Sequence, residues 1–184
     1  MGKSTTAAMF ADAGVPVWDA DACVHKMYSK GGQAVDLIEN LSPESIVNGE
    51  VDRAALSSWL AGRSDRFNAL ESAVHPLVAK DREDFISASH SDVLVFDIPL
   101  LFETMADEWL DAVVVVTTDA QTQRARVLDR PGMTDEKFEQ ILGKQLPDTE
   151  KRKRADYLVT TDTLAGAEKA VKYIIQDIRG KLNA

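Results

Sequence analysis

Val93-Leu94-Val95-Phe96-Asp97 is the stretch on which the fold turns. Four apolar residues run without polar alternation and stop at a carboxylate. Such a run suits a strand covered on both faces, as in a parallel sheet. Working outward, Ala112-Val113-Val114-Val115-Val116 and Tyr157-Leu158-Val159-Thr160 are runs of the same kind. Val15-Pro16-Val17-Trp18 is a shorter one and leads into Asp19-Ala20-Asp21. Helical patterns occupy 5–13, 120–129, 134–144 and 164–178. Strands separated by helices predict an α/β domain with a parallel sheet and helices on both of its faces.

Two stretches exceed what a crossover needs. The segment from 22 to 92 is too long for one helix. It reads as helices at about 22–29, 33–41, 53–61 and 64–87, with turns at Gly31-Gly32 and Asn48-Gly49. His75-Pro76 is expected to start a new helix, because proline suits a first helical turn. The segment 130–154 is a second insertion and carries Lys151-Arg152-Lys153-Arg154. The whole chain has 184 residues, 45% hydrophobic and 28% charged, which fits one domain with insertions. A single cysteine, Cys23, excludes an internal disulfide and a cysteine-rich zinc site. A net charge of −9 disfavours sequence-independent nucleic-acid binding, which needs cations to neutralise phosphates. No apolar run approaches the roughly 20 residues of a membrane span, and no signal-peptide pattern opens the chain. The expectation is a cytoplasmic protein with neither nucleic acid nor membrane as partner.

Four groups of residues and a single histidine carry possible chemistry. Gly2-Lys3-Ser4-Thr5 matches the end of a phosphate-binding loop. There glycine lets backbone N–H groups approach phosphate, lysine reaches the β- and γ-phosphates, and the hydroxyl meets Mg²⁺. The alternative is a helix start with no ligand. Asp97 ends an apolar strand, where a carboxylate can stand beside Mg²⁺ or serve a turn. Asp19 and Asp21 share one face of an extended segment, so either could accept a proton from a hydroxyl; either could also cap a helix. Arg126, Arg130 and Lys151 could surround a migrating phosphoryl group or form a solvated face. His75 could be a ligand or a helix cap.

Taken together, Gly2-Lys3-Ser4-Thr5, Trp18-Asp19-Ala20-Asp21, Gly49-x-Val51-Asp52-Arg53, His75-Pro76, Asp97-Ile98-Pro99-Leu100-Leu101-Phe102-Glu103, Gln123-x-x-Arg126-x-x-x-Arg130, Gln145 and Ala155-Asp156 resemble the dephospho-CoA kinase family. The resemblance implies a P-loop NTPase-type parallel sheet, with a core at 1–21, 91–129 and 155–184. It implies a helical substrate-binding insertion at 22–90 and a lid at 130–154. It implies transfer of a phosphoryl group from ATP, with Mg²⁺, to the 3′-hydroxyl of dephospho-CoA. Gly2, Lys3, Ser4, Thr5, Arg126 and Lys151 would then bind ATP, and Ser4 and Asp97 the metal. Asp21 would be the base, with Lys3 and Arg130 completing the catalytic set. Asp19, Arg53, His75, Leu100, Leu101 and Glu103 would lie near the acceptor. Family members begin with a central strand and the loop T-G-G-I-G-S ahead of G-K-S-T. This sequence starts inside that loop, so the first strand is expected to be missing. An impaired or noncatalytic nucleotide- or CoA-binding protein is one alternative, and another small-molecule P-loop kinase is a second.

Overall fold

Branched valine side chains suit a pleated strand. In the computed structural model, which describes residues 2–184, Val114–Thr117 (β5) pairs in parallel with Tyr157–Thr160 (β6), Val114 opposite Tyr157 and Thr117 opposite Thr160. This pair belongs to the first of two compact units, which holds residues up to Val17 together with Ser91–Ala184. Val95–Asp97 (β4) is its other long-range strand. The Val95 N–H donates to the Pro16 carbonyl at 2.9 Å, just before Val17–Asp19 (β1). The helices of this unit are Lys3–Asp12 (α1), Ala120–Leu128 (α6), Asp135–Leu142 (α7), Asp148–Arg154 (α8) and Leu164–Leu182 (α9).

Helical spacing explains how α9 closes the core. Ala167, Val171, Ile174 and Ile175 fall on one stripe and bury themselves with Phe10, Val15 and Val159. Val93, Val95, Val114 and Val116 pack against the same cluster. Val113 and Val115 point the other way and join Phe102, Leu101, Leu110 and Leu146. β5 is therefore covered on both faces, as its unbroken apolar run predicts. β6 departs from that expectation. Val159 is fully buried, but Leu158 and Thr160 are exposed, because α9 covers only one face of the strand. β4 and β5 belong to separate two-stranded sheets. The first strand that the resemblance implies would precede Gly2 and falls outside the described residues.

The second unit, Trp18–His90, is helical. It contains Ala20–Tyr28 (α2), Val35–Leu41 (α3), Arg53–Leu60 (α4) and Ser64–Ala88 (α5). α2, α3 and α4 each pack on α5. Gly32 is required by close approach: a Cβ there would meet the Met27 carbonyl oxygen at 2.2 Å. Ile46–Val47 (β2) and Glu50–Val51 (β3) form a hairpin across Asn48-Gly49, both at positive φ. α5 corrects the sequence reading, because it runs through Pro76 without ending. Proline removes one backbone donor, and the Ser72 carbonyl four residues back loses its helical bond. Ser72, His75 and Pro76 all lie on the exposed side, where water can take up that bond, while Leu70 and Val74 anchor the helix inside. Among the described residues, no helix is long and apolar enough to cross a membrane.

Candidate active site

The site is built around the start of α1. Gly2 caps the helix in the left-handed region, at φ 90°. A Cβ on Gly2 would stand 3.3 Å from the Thr161 methyl carbon. Glycine therefore serves both the turn and its close approach to the loop after β6. The free N–H groups and the dipole of α1 make this end attractive to an anion. Lys3 extends from the first helical position, and its ammonium pairs with the Asp97 carboxylate. Asp97 is only 5% exposed at the end of β4. Ser4 and Thr5 are exposed on the same first turn.

Of the three candidate cations of the first unit, only Arg126 is placed beside this turn. Arg126 reaches the loop that faces Gly2, donating to the Thr161 hydroxyl at 3.1 Å and the Thr161 carbonyl at 2.9 Å. Arg130 is exposed just beyond α6. Lys151, on α8, pairs with Glu103 at 2.9 Å, and both side chains are mostly buried. The same Glu103 oxygen accepts the Leu146 N–H at 2.8 Å, while its Oε2 is buried with no partner. Burial pushes the Glu103 carboxyl up, but Lys151, Leu146 N–H and its own backbone N–H outweigh burial and hold it below the ordinary range. Leu101 packs beside Phe102, and Leu100 is exposed at positive φ.

In the second unit, Asp19 caps α2 by accepting the Ala22 N–H at 3.0 Å. Asp21 is exposed on the first turn of the same helix. Capping thus occupies Asp19. Arg53 opens α4 with its guanidinium 5.6 Å from the centre of the Tyr28 ring. His75 lies in the middle of α5 and caps nothing.

Sequence reasoning passed over two sets of residues. Arg124 bridges α6 to α7 through Asp135 at 2.5 Å and Glu139 at 2.7 Å, over the Phe138 ring. The i, i+4 spacing of Asp135 and Glu139 was the available signal. Asp148 accepts the Thr117 hydroxyl at 2.9 Å and ties α8 to the end of β5; nothing local to its sequence announces this.

A glycine-lysine-serine turn at a helix N-terminus, with its lysine on a buried strand-end carboxylate, is the arrangement of the α/β P-loop class. The profile of the dephospho-CoA kinase family matches residues 1–166. The chain belongs to the dephospho-CoA kinase family. It is 47% identical to a dephospho-CoA kinase of Cereibacter sphaeroides over 184 residues, covering 100% of this chain and 93% of that one. It is 48% identical to that of Jannaschia sp. over 179 residues, covering 97% and 92%. A Thermus thermophilus protein of known crystal structure superposes with a TM-score of 0.85 at 29% identity, covering 96% of this chain and 91% of the other. The dephospho-CoA kinase from Campylobacter jejuni shares the fold at a TM-score of 0.64 and 24% identity, over 96% and 91%.

Proposed function

We propose that the protein catalyses ATP-dependent phosphorylation of the ribose 3′-hydroxyl of dephospho-CoA, the last step of coenzyme A synthesis, in the cytoplasm. The observation that carries the reading is Lys3 at the start of α1, held on buried Asp97, in a chain of this family. In this reading the core and the lid handle ATP, and the insertion handles the acceptor. Gly2, Lys3, Ser4 and Thr5 bind the phosphates with backbone N–H groups and the Lys3 ammonium. Arg126, Arg130 and Lys151 contribute positive charge where it builds up on the transferred group. Ser4 and Asp97 would offer hard oxygen donors to Mg²⁺, which would supply charge neutralisation when bound. Asp21 orients the acceptor hydroxyl and takes its proton, because Asp19 is engaged as a cap. Arg53, His75, Leu100, Leu101 and Glu103 shape the acceptor side. The −9 net charge argues against nucleic acid as a partner.

The test is an assay of γ-phosphate transfer with three acceptors: dephospho-CoA, AMP, and dephospho-CoA blocked at its 3′-hydroxyl. Transfer to the first alone is expected. Preference for AMP would point to a nucleotide kinase instead, and tight ATP binding without transfer to any acceptor would point to a noncatalytic binding protein.

A further inference from the structure

Asp81 has no part in the chemistry above, yet it grips the segment that carries the proposed base. It stands on α5, with its side chain 31% exposed. Its Oδ2 accepts the Trp18 indole N–H at 2.9 Å. The Cys23 thiol lies beside the same carboxylate, and the Lys26 ammonium is 3.9 Å away. Trp18 and Cys23 are both buried. Burial, then the contact with Asp81, pushes the Cys23 thiol up to about 12, so it stays protonated and uncharged beside the carboxylate at neutral pH.

The positions of these two residues give the contact its meaning. Trp18 immediately precedes Asp19, and Cys23 follows Asp21 by one intervening residue. Asp19 closes the first turn between them. One carboxylate on α5 thus holds the chain on both sides of Asp19-Ala20-Asp21. Packing alone would fix how α2 lies on α5 only loosely about its own axis; a directed hydrogen bond from Trp18 on one side and the contacts of Cys23 and Lys26 on the other restrict rotation and register together. The direction in which Asp21 leaves the first turn depends on both.

We propose that Asp81 is a positioning residue for phosphoryl transfer, fixing the head of α2 so that its carboxylate meets the acceptor hydroxyl. This rests on the reading of Asp21, or its neighbour Asp19, as the base. Misplacing a reacting group by about 1 Å can cost about 10²-fold in rate.

The experiment measures kcat and the KM for ATP with dephospho-CoA as acceptor, for Asp81→Leu and Asp81→Asn. Each is crossed with Asp21→Asn and Asp19→Asn. Asp81→Leu is expected to lower kcat by about 10-fold or more and leave the KM for ATP nearly unchanged. Asp81→Asn keeps an oxygen for the Trp18 indole and should regain most of the loss. In the variant that has lost its base, Asp81→Leu should lower kcat no further, because residues acting through one group are non-additive. Wild-type kcat with only a lower melting temperature would overturn the proposal. So would an equal further drop in the base-less background. If neither Asp21→Asn nor Asp19→Asn lowers turnover, the base reading falls and takes this one with it; a deep loss there with additive Asp81→Leu sinks the Asp81 role alone. Should Asp81→Leu fail to fold, Trp18→Phe removes the donor, keeps the aromatic bulk and takes its place in the cycle.

Discussion

Thr6 carries its hydroxyl into the core between the first turn of α1 and the packed residues behind it, 3% exposed and with no partner for Oγ1. An unpaired buried polar group costs about 1–3 kcal/mol. Valine has nearly the same shape and a similar helix propensity. Thr6→Val should therefore stabilise the protein by about 1 kcal/mol, raising the melting temperature by about 2–4 °C for a chain of this size; an unchanged or lower melt would mean that the hydroxyl is satisfied. At Asp21 the change is chemical. Asp21→Asn keeps the shape and removes the proton acceptor, so turnover should fall by about 10²–10⁴-fold with little effect on the affinity for ATP. Steady-state kinetics with dephospho-CoA check this, and near-normal turnover in Asp21→Asn beside a dead Asp19→Asn would exchange the two roles. The two carboxylates look alike in the sequence. Only the hydrogen bond from Ala22 N–H to Asp19 separates them, because whether a carboxylate at i or i+2 becomes the cap depends on where the helix begins.

Among the elements, α8 shows how charge order supports a short helix. Asp148 and Glu150 occupy its first turn and Lys151 to Arg154 its last, matching the helix dipole at both ends. Its seat on the first unit is Glu103, which takes Lys151 and the Leu146 N–H together. Glu103→Gln keeps an acceptor for Leu146 but leaves Lys151 without its charge partner. Charge-assisted hydrogen bonds contribute about 1.5–3 kcal/mol, so the variant should melt several degrees lower at neutral pH. The folded-state carboxyl sits below its ordinary 4.5. Its contribution is therefore complete above that ordinary value and disappears as pH falls through the lower, folded one. Wild type and Glu103→Gln should differ in melting temperature at pH 6 and converge in stronger acid; a gap that persists there would place the effect elsewhere. The basic cluster was legible in the sequence, whereas the helix bearing it was not. Seven residues give too little periodicity to recognise, and its tether to Thr117 joins distant parts of the chain. The 25-residue α5 was misread for the opposite reason: a proline outweighed the apolar spacing on either side, although its exposed position lets the helix continue.

At the scale of the molecule, the alternation of strand and helix was readable because unbroken valine runs have few other uses. The pairing of strands was not, since it depends on residues far apart in sequence. The bond from Val95 N–H to Pro16 O bears on events during synthesis. The chain leaves the first unit after Val17 and returns to it only at Ser91. On the ribosome, every residue of the helical unit is made before β4 exists to meet its neighbour. Domains tend to fold as units in order of their emergence, so the inserted helices are free to form early, while the interrupted unit must wait for its C-terminal half. Nascent chains arrested once His90 has cleared the ribosome should already show protection in the inserted unit and leave α1 accessible.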